Sequence, residues 1–228
     1  MALASAVSVL ALAWLGASSL LATSSPTTTT SRSPASTSTT AAPTTTTTTD
    51  PGLLPQTAEQ PPSDDASLEV RLQPLFGAIQ SASTQAGTSV FFPESAYLSM
   101  KAGILPSPAS DYQSRLIGFY GLDLAAYQQA LGPSPSSAQL VAVNADPSFA
   151  SWIPPGSCEN SIGYWHLPNV RLVYTNASGT QSFAVASLIS WRGLWYVVHL
   201  GPNPRPSDVG TVDQPETGPG APGPAGGC

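Results

Sequence analysis

Charge of either sign is scarce in this chain. Charged residues make up 9% of its 228 positions, and Lys and Arg together number seven. Those seven stand apart from one another. Binding a phosphate backbone needs clustered cations, so nucleic acid is excluded as a partner class. Cysteine and histidine occur only twice each. Two histidines on separate stretches are half of a zinc site, and no HExxH, CxxC or EF-hand loop accompanies them, so no metal is expected. No Gly-rich phosphate loop opens a helix, and no cofactor is expected. The GxSxG signature of a serine nucleophile is missing, and Gly156-Ser157-Cys158 lacks the flanking glycine that would make it one.

The first base is Arg32, so residues 1–31 carry no charged side chain. Ala2 to Ala22 is apolar with small polar interruptions, and residues 1–23 read as a secretory signal or, second, as a retained N-terminal anchor. No Cys lies near this run, which leaves lipidation without support. From Thr23 to Asp50, Thr, Ser and Pro supply 23 of 28 residues. Such a composition buries too little to repay the entropy of ordering. Residues 24–65 are therefore expected to be a disordered linker, either an O-glycosylated stalk or a plain spacer. From Gly201 onward Pro and Gly account for 14 of 28 residues, and residues 205–228 are expected to be an irregular tail.

Apart from Trp14, every aromatic residue lies between Phe76 and Tyr196, which places one folded unit at residues 66–204. Within it, Leu68, Leu72, Leu75 and Ile79 share a helical face, with Pro74 expected to kink it or to mark its start. Tyr112, Leu116, Phe119, Tyr120, Leu124 and Tyr127 mark a second stripe, with Ser110 and Gln113 as a capping box. After Ser137 the period becomes alternating. Strands are expected over 139–144, 149–153, 162–167, 170–174, 182–189 and 194–200, with turns at 176–179 and 190–193. Helices followed by strands predict an α+β fold: N-terminal helices on one face of a curved antiparallel β-meander whose other face is wet. That order is loosely similar to the cone-shaped NTF2 and cystatin folds, an analogy that carries no function.

Alternation puts Ile162, Tyr164 and His166 on one face of their strand, and Trp195, Val197 and His199 on one face of the last. If those faces meet, Tyr164, His166, Trp195 and His199 line an aromatic pocket with two imidazoles. Such a pocket could hold a small ligand, or use His166 or His199 as a general base beside Asp111, Asp123 or Glu94. The plainer reading makes each histidine a hydrogen-bonded strand residue. In an exported chain Cys158 and Cys228 are candidates for a disulfide, the alternatives being two free thiols or a bridge from Cys228 to another molecule.

The motif Gly163-Tyr164-Trp165-His166, with Ser187 to Gly193 and Trp195 to Leu200 following it, resembles a group of exported bacterial proteins of actinobacterial type whose function is unknown. The resemblance covers about residues 90–200, including Phe91-Phe92-Pro93 and Tyr97. It implies a small α+β domain and brings no catalytic residues. The expectation is a secreted or cell-envelope domain that binds a partner or small ligand on a stalk, touching the membrane only through an uncleaved N-terminus. A small acid/base enzyme, a hydrolase or cyclase-like catalyst using His166 or His199, is the alternative.

Overall fold

The structure is a computed structural model that describes residues 49–224. The expected signal or anchor, nearly all of the Thr-rich segment and Cys228, hence the Cys158–Cys228 bridge, lie outside the described residues. Within them the chain is mixed helix and antiparallel sheet, as the α+β reading requires.

Helix α1 spans Asp65–Ser81. The carboxylate of Asp64 caps it by accepting from the Ser67 amide at 2.9 Å, and Ala82, left-handed at φ 48°, ends it. The predicted stripe of Leu68, Leu72, Leu75 and Ile79 is fully buried. Each such side chain contributes about 1.5–3 kcal/mol on burial. Pro74 lies inside the helix and does not start it. Proline removes the bond to the carbonyl four residues back, and that residue, Val70, is 79% exposed, on the side where water replaces the partner.

Short helices α2 (Thr84–Gly87) and α3 (Glu94–Lys101) follow. Next comes one continuous helical stretch in three parts: α4 (Pro108–Asp111), π-helical turns over Tyr112–Ile117, and α5 (Gly118–Ala130). It starts at Pro108, earlier than the expected capping box, and no side chain caps it.

The strands are β1 (Gln139–Asn144), β2 (Ser151–Ile153), β3 (Tyr164–Asn176), β4 (Gly179–Trp191), β5 (Leu194–His199) and β6 (Asp213–Thr217). The sheet order is β1-β3-β4-β5, with β2 pairing on β3 and β6 on β4. The two segments expected at 162–167 and 170–174 are one strand of 13 residues, matched by 13 in β4. Their turn closes at Gly179 (φ 93°), where Asn176 Oδ1 accepts from the Ser178 amide. Arg192 and Gly193 both take positive φ, the backbone a two-residue hairpin turn demands.

No side of the central ribbon is wet. Ser182 through Trp191 are all buried, so both faces of β4 are covered. Tyr174 and Phe183 pack on Phe76 of α1 and Tyr127 of α5. Part of the remaining cover comes from stretches expected to be loose. Residues 50–63, assigned above to the linker, wrap the β4–β5 hairpin and the start of β3. The indole N–H groups of Trp191, Trp165 and Trp195 donate to the carbonyls of Pro51, Ala58 and Pro62 at 2.9–3.0 Å. The Gln56 amide donates to the Ser190 carbonyl at 2.9 Å, and its oxygen accepts from Arg192 N–H at 2.7 Å. Linker composition misleads here because the partners are backbone carbonyls, which every residue carries.

The tail is a second correction. Residues 213–217 form β6, and the hydroxyl of Tyr127 accepts from the Asp213 amide at 2.9 Å. Arg205 clamps the buried carboxylate of Asp123 through two bonds at 2.7 and 2.9 Å. Arg171 is fully buried and donates to Gln214 O and Ser182 Oγ. A Cβ on Gly220 would fall 2.4 Å from that guanidinium, so glycine is what lets the tail cross it.

The indole seam yields a prediction. A chain starting at Asp64 should lose on the order of 3 kcal/mol against one starting at Thr49, at about 1 kcal/mol for each indole bond. Urea unfolding monitored by Trp fluorescence measures it. Equal midpoints would mean that the wrap adds nothing to stability.

Candidate functional site

A cavity of about 330 Å³ opens between the sheet and the α3–α4 region. Strand register assembles its floor. His166 pairs with Ile189 across β3 and β4, and Ser187 stands opposite His199 across β4 and β5. The second pairing depends on a β-bulge. Leu188 faces Val197 while Ser187 faces His199, leaving Val198 as the extra residue. A bulge re-aims the side chains beyond it. Here Val198 and His199 both line the cavity with Ser187 and Ile189, although strict alternation would separate them.

The same bulge decides the fate of Trp195. It pairs with Ser190, one step from the cavity-facing Ile189, and so projects from the opposite face. Trp195 is 2% exposed and spends its N–H on Pro62. It is not a pocket residue, which corrects the expectation drawn from alternation. Tyr164, His166 and His199 do line one cavity.

Its other wall carries a network that sequence reasoning missed. The carboxylate of Asp111 accepts from Arg115 Nε at 2.8 Å and Nη2 at 2.7 Å, and from the hydroxyl of Tyr97. Arg115 Nη2 also donates to Tyr97 Oη at 2.9 Å. The hydrogen-bonded guanidinium holds the Asp111 carboxyl below its ordinary range, while burial and that carboxylate push the Tyr97 hydroxyl up. The four-residue spacing of Asp111 and Arg115 was a legible helical ion-pair signal.

Lys101 closes the rim, donating to the Glu159 carbonyl at 2.9 Å. The loop holding Glu159 is pinned to the end of α3 by Ser161, whose amide and hydroxyl both donate to Met100 O. Asn160 is 6% exposed; its amide nitrogen donates to Cys158 O at 2.9 Å, and Oδ1 has no hydrogen-bond partner. Nothing in the sequence marked Lys101 or Asn160, and Ser187 stood out only as part of the stretch that carries the resemblance.

His166 Nε2 lies 2.7 Å from Ser187 Oγ. Burial lowers the basicity of His166. His199 is lowered to about 4, first by burial and then by Arg115, Arg205, His166 and Lys101. Both imidazoles are thus neutral at pH 7 and able to accept a proton. Neither has a carboxylate behind it. Asp111 is taken by Arg115 and Tyr97, Asp123 by Arg205, and Glu94 by Gln113 at 2.9 Å. Of these three carboxylates only Asp111 lines the cavity. Among the described residues no cluster of three or more His, Cys, Asp or Glu could hold a metal, and no helix is long and apolar enough to cross a membrane. A second cavity of about 550 Å³ is bordered by Phe91, Tyr112, Tyr120, Asp50 and Glu94 and contains neither histidine.

The depressed His199 fixes a pH dependence. Its folded value of about 4 lies below the ordinary 6.5, so between those limits the unfolded chain binds the extra proton. Stability should fall as pH drops from 6.5 to 4, by at most about 1.4 kcal/mol per unit from this group. His199→Gln should flatten that part of the profile, read as urea midpoints against pH. An unchanged slope in the variant would place the titrating group elsewhere.

No known family model matches the chain, and neither does any curated protein or solved structure.

Proposed function

We propose that the chain is an exported, secreted or cell-envelope domain whose cavity binds a small polar ligand. The observation that carries this reading is the convergence of Asn160, His166, Ser187, His199 and Lys101 from five separate elements on one cavity, with the buried Asn160 oxygen left without a donor. A buried polar atom without a partner is destabilising, and a bound molecule that donates to it would remove that penalty. The three stretches behind the resemblance to exported bacterial proteins supply Tyr164, His166, Ser187, Ile189, Val198 and His199, which supports a shared site. The loose likeness to the NTF2 and cystatin folds belongs to the same proposal and adds no function to it.

A second reading, an acid/base enzyme, is favoured by the 2.7 Å contact between a neutral His166 and Ser187 Oγ. It is weaker because no carboxylate orients the imidazole.

The test is a small-molecule screen read by thermal shift and by the side-chain NMR signals of the two histidines. Val198→Phe, which pushes a ring into the cavity, should abolish every hit that moves those signals while leaving the fold intact. Hits that survive in this variant would place binding elsewhere. An organofluorophosphonate that adds its mass to Ser187 would favour the enzyme; an unmodified Ser187 favours binding.

A further inference from the structure

The binding reading leaves the class of ligand open, and the charges around the cavity narrow it. Arg115 and Asp111 neutralise each other in a two-bond pair. The Lys101 ammonium meets a backbone carbonyl, and the side chain of Glu159 beside it is exposed. On the floor, Ser187 Oγ and both imidazoles are neutral groups able to donate. The charged groups that act on His199 from the packed elements are Lys101 of α3, Arg115 of the π-helical turns and Arg205 of the loop after β5, all cations. Asp111 and Glu159 are the acids on the cavity wall, the first spent on Arg115 and Tyr97. Arg115 and Arg205 are each neutralised by an aspartate, so among the described residues lining the cavity Lys101 is the cation without a salt bridge, with the Glu159 carboxylate acting on it from beyond salt-bridge distance.

Resting on the proposal that the cavity binds a small ligand, we infer that this ligand is a small organic monoanion, a carboxylate that also carries a hydroxyl to donate to Asn160, seated between Lys101, Arg115 and His199, and that its arrival draws a proton onto His199. One unspent cation suits one negative charge. A volume of about 330 Å³ is near the lower end for small-molecule sites and suits a molecule of one ring. A carboxylate beside the imidazole favours its charged form, so ligand and proton bind together.

Three probes of one size, each with a 4-hydroxyl that can donate to Asn160, separate the class from the site: the 4-hydroxy forms of benzoate, benzamide and benzylamine, named below by their parents, which are anionic, neutral and cationic at pH 6. Each is titrated into the full chain while the two imidazoles are followed by NMR, assigned with His166→Gln and His199→Gln. Benzoate should bind about tenfold or more tighter than benzamide, the gain expected of a charge-assisted hydrogen bond, and benzylamine should move neither histidine. Its affinity should rise as pH falls from 7 to 5, by at most about tenfold per unit for one proton taken up. His199→Gln should lose that rise. Lys101→Met should erase the preference over benzamide, and Lys101→Arg should keep it. Benzamide or benzylamine matching benzoate at the same imidazoles overturns the anion while the binding site stands. No response to any probe at tens of millimolar overturns both.

Discussion

Burial of β4 on both faces is the constraint that organises this molecule. Ten consecutive residues, Ser182 to Trp191, are shielded from water, and so are Leu167 to Tyr174 of the neighbouring strand. A two-stranded ribbon that apolar has no stability of its own and must be covered on all sides. Helices provide some of the cover through Phe76 and Tyr127. The rest comes from stretches flanking the aromatic-rich region, and this explains why sequences poor in apolar side chains are ordered. They contribute carbonyls to indoles and to Arg171, and the apolar surface they hide belongs to the sheet.

Buried polar groups in this arrangement sort into two kinds. Asp123 takes bonds from Arg205, Gly201 and Thr211. Arg171 has Ser182 and Gln214. These are structural ties that fasten the tail, since breaking a buried charge pair on one side leaves the other charge stranded. Around the cavity the pattern differs. Asn160 keeps an unpaired oxygen, the imidazole of His199 sits among cations, and the Ser187 hydroxyl meets only a neutral ring. The site differs from the ties in this incompleteness.

The bulge at Val198 links the sheet to the site. It shifts the β4–β5 pairing by one residue, which turns His199 to the side of Ser187 and His166 and leaves Trp195 on the other face. Without that shift the two histidines would not share a cavity. Sequence alternation grouped Tyr164 with His166 correctly because β3 is regular between them. It grouped Trp195 with His199 wrongly because the extra residue between them leaves no mark in side-chain type. The expectation that Pro74 marks a helix start failed for a comparable reason. Whether proline breaks a helix depends on whether water can reach the orphaned carbonyl, a fact about the folded surface.

By itself the sequence determined where the apolar mass lies, the period of each stretch and therefore its class: the helix carrying Leu68 to Ile79, the long helical stretch through Tyr127, and the turns within 176–179 and 190–193. These are local properties, set by spacing and backbone preference within a few residues. Only the tertiary structure decided that the N-terminal flank packs on the β4–β5 hairpin, that the C-terminal flank ties to α5 and Arg171 and adds β6 beside β4, and that Lys101, Asp111, Arg115, Asn160 and Ser187 meet the histidines. Each of those contacts joins residues remote in the chain through backbone groups or a one-residue slip in register, and neither leaves a signature in composition or period.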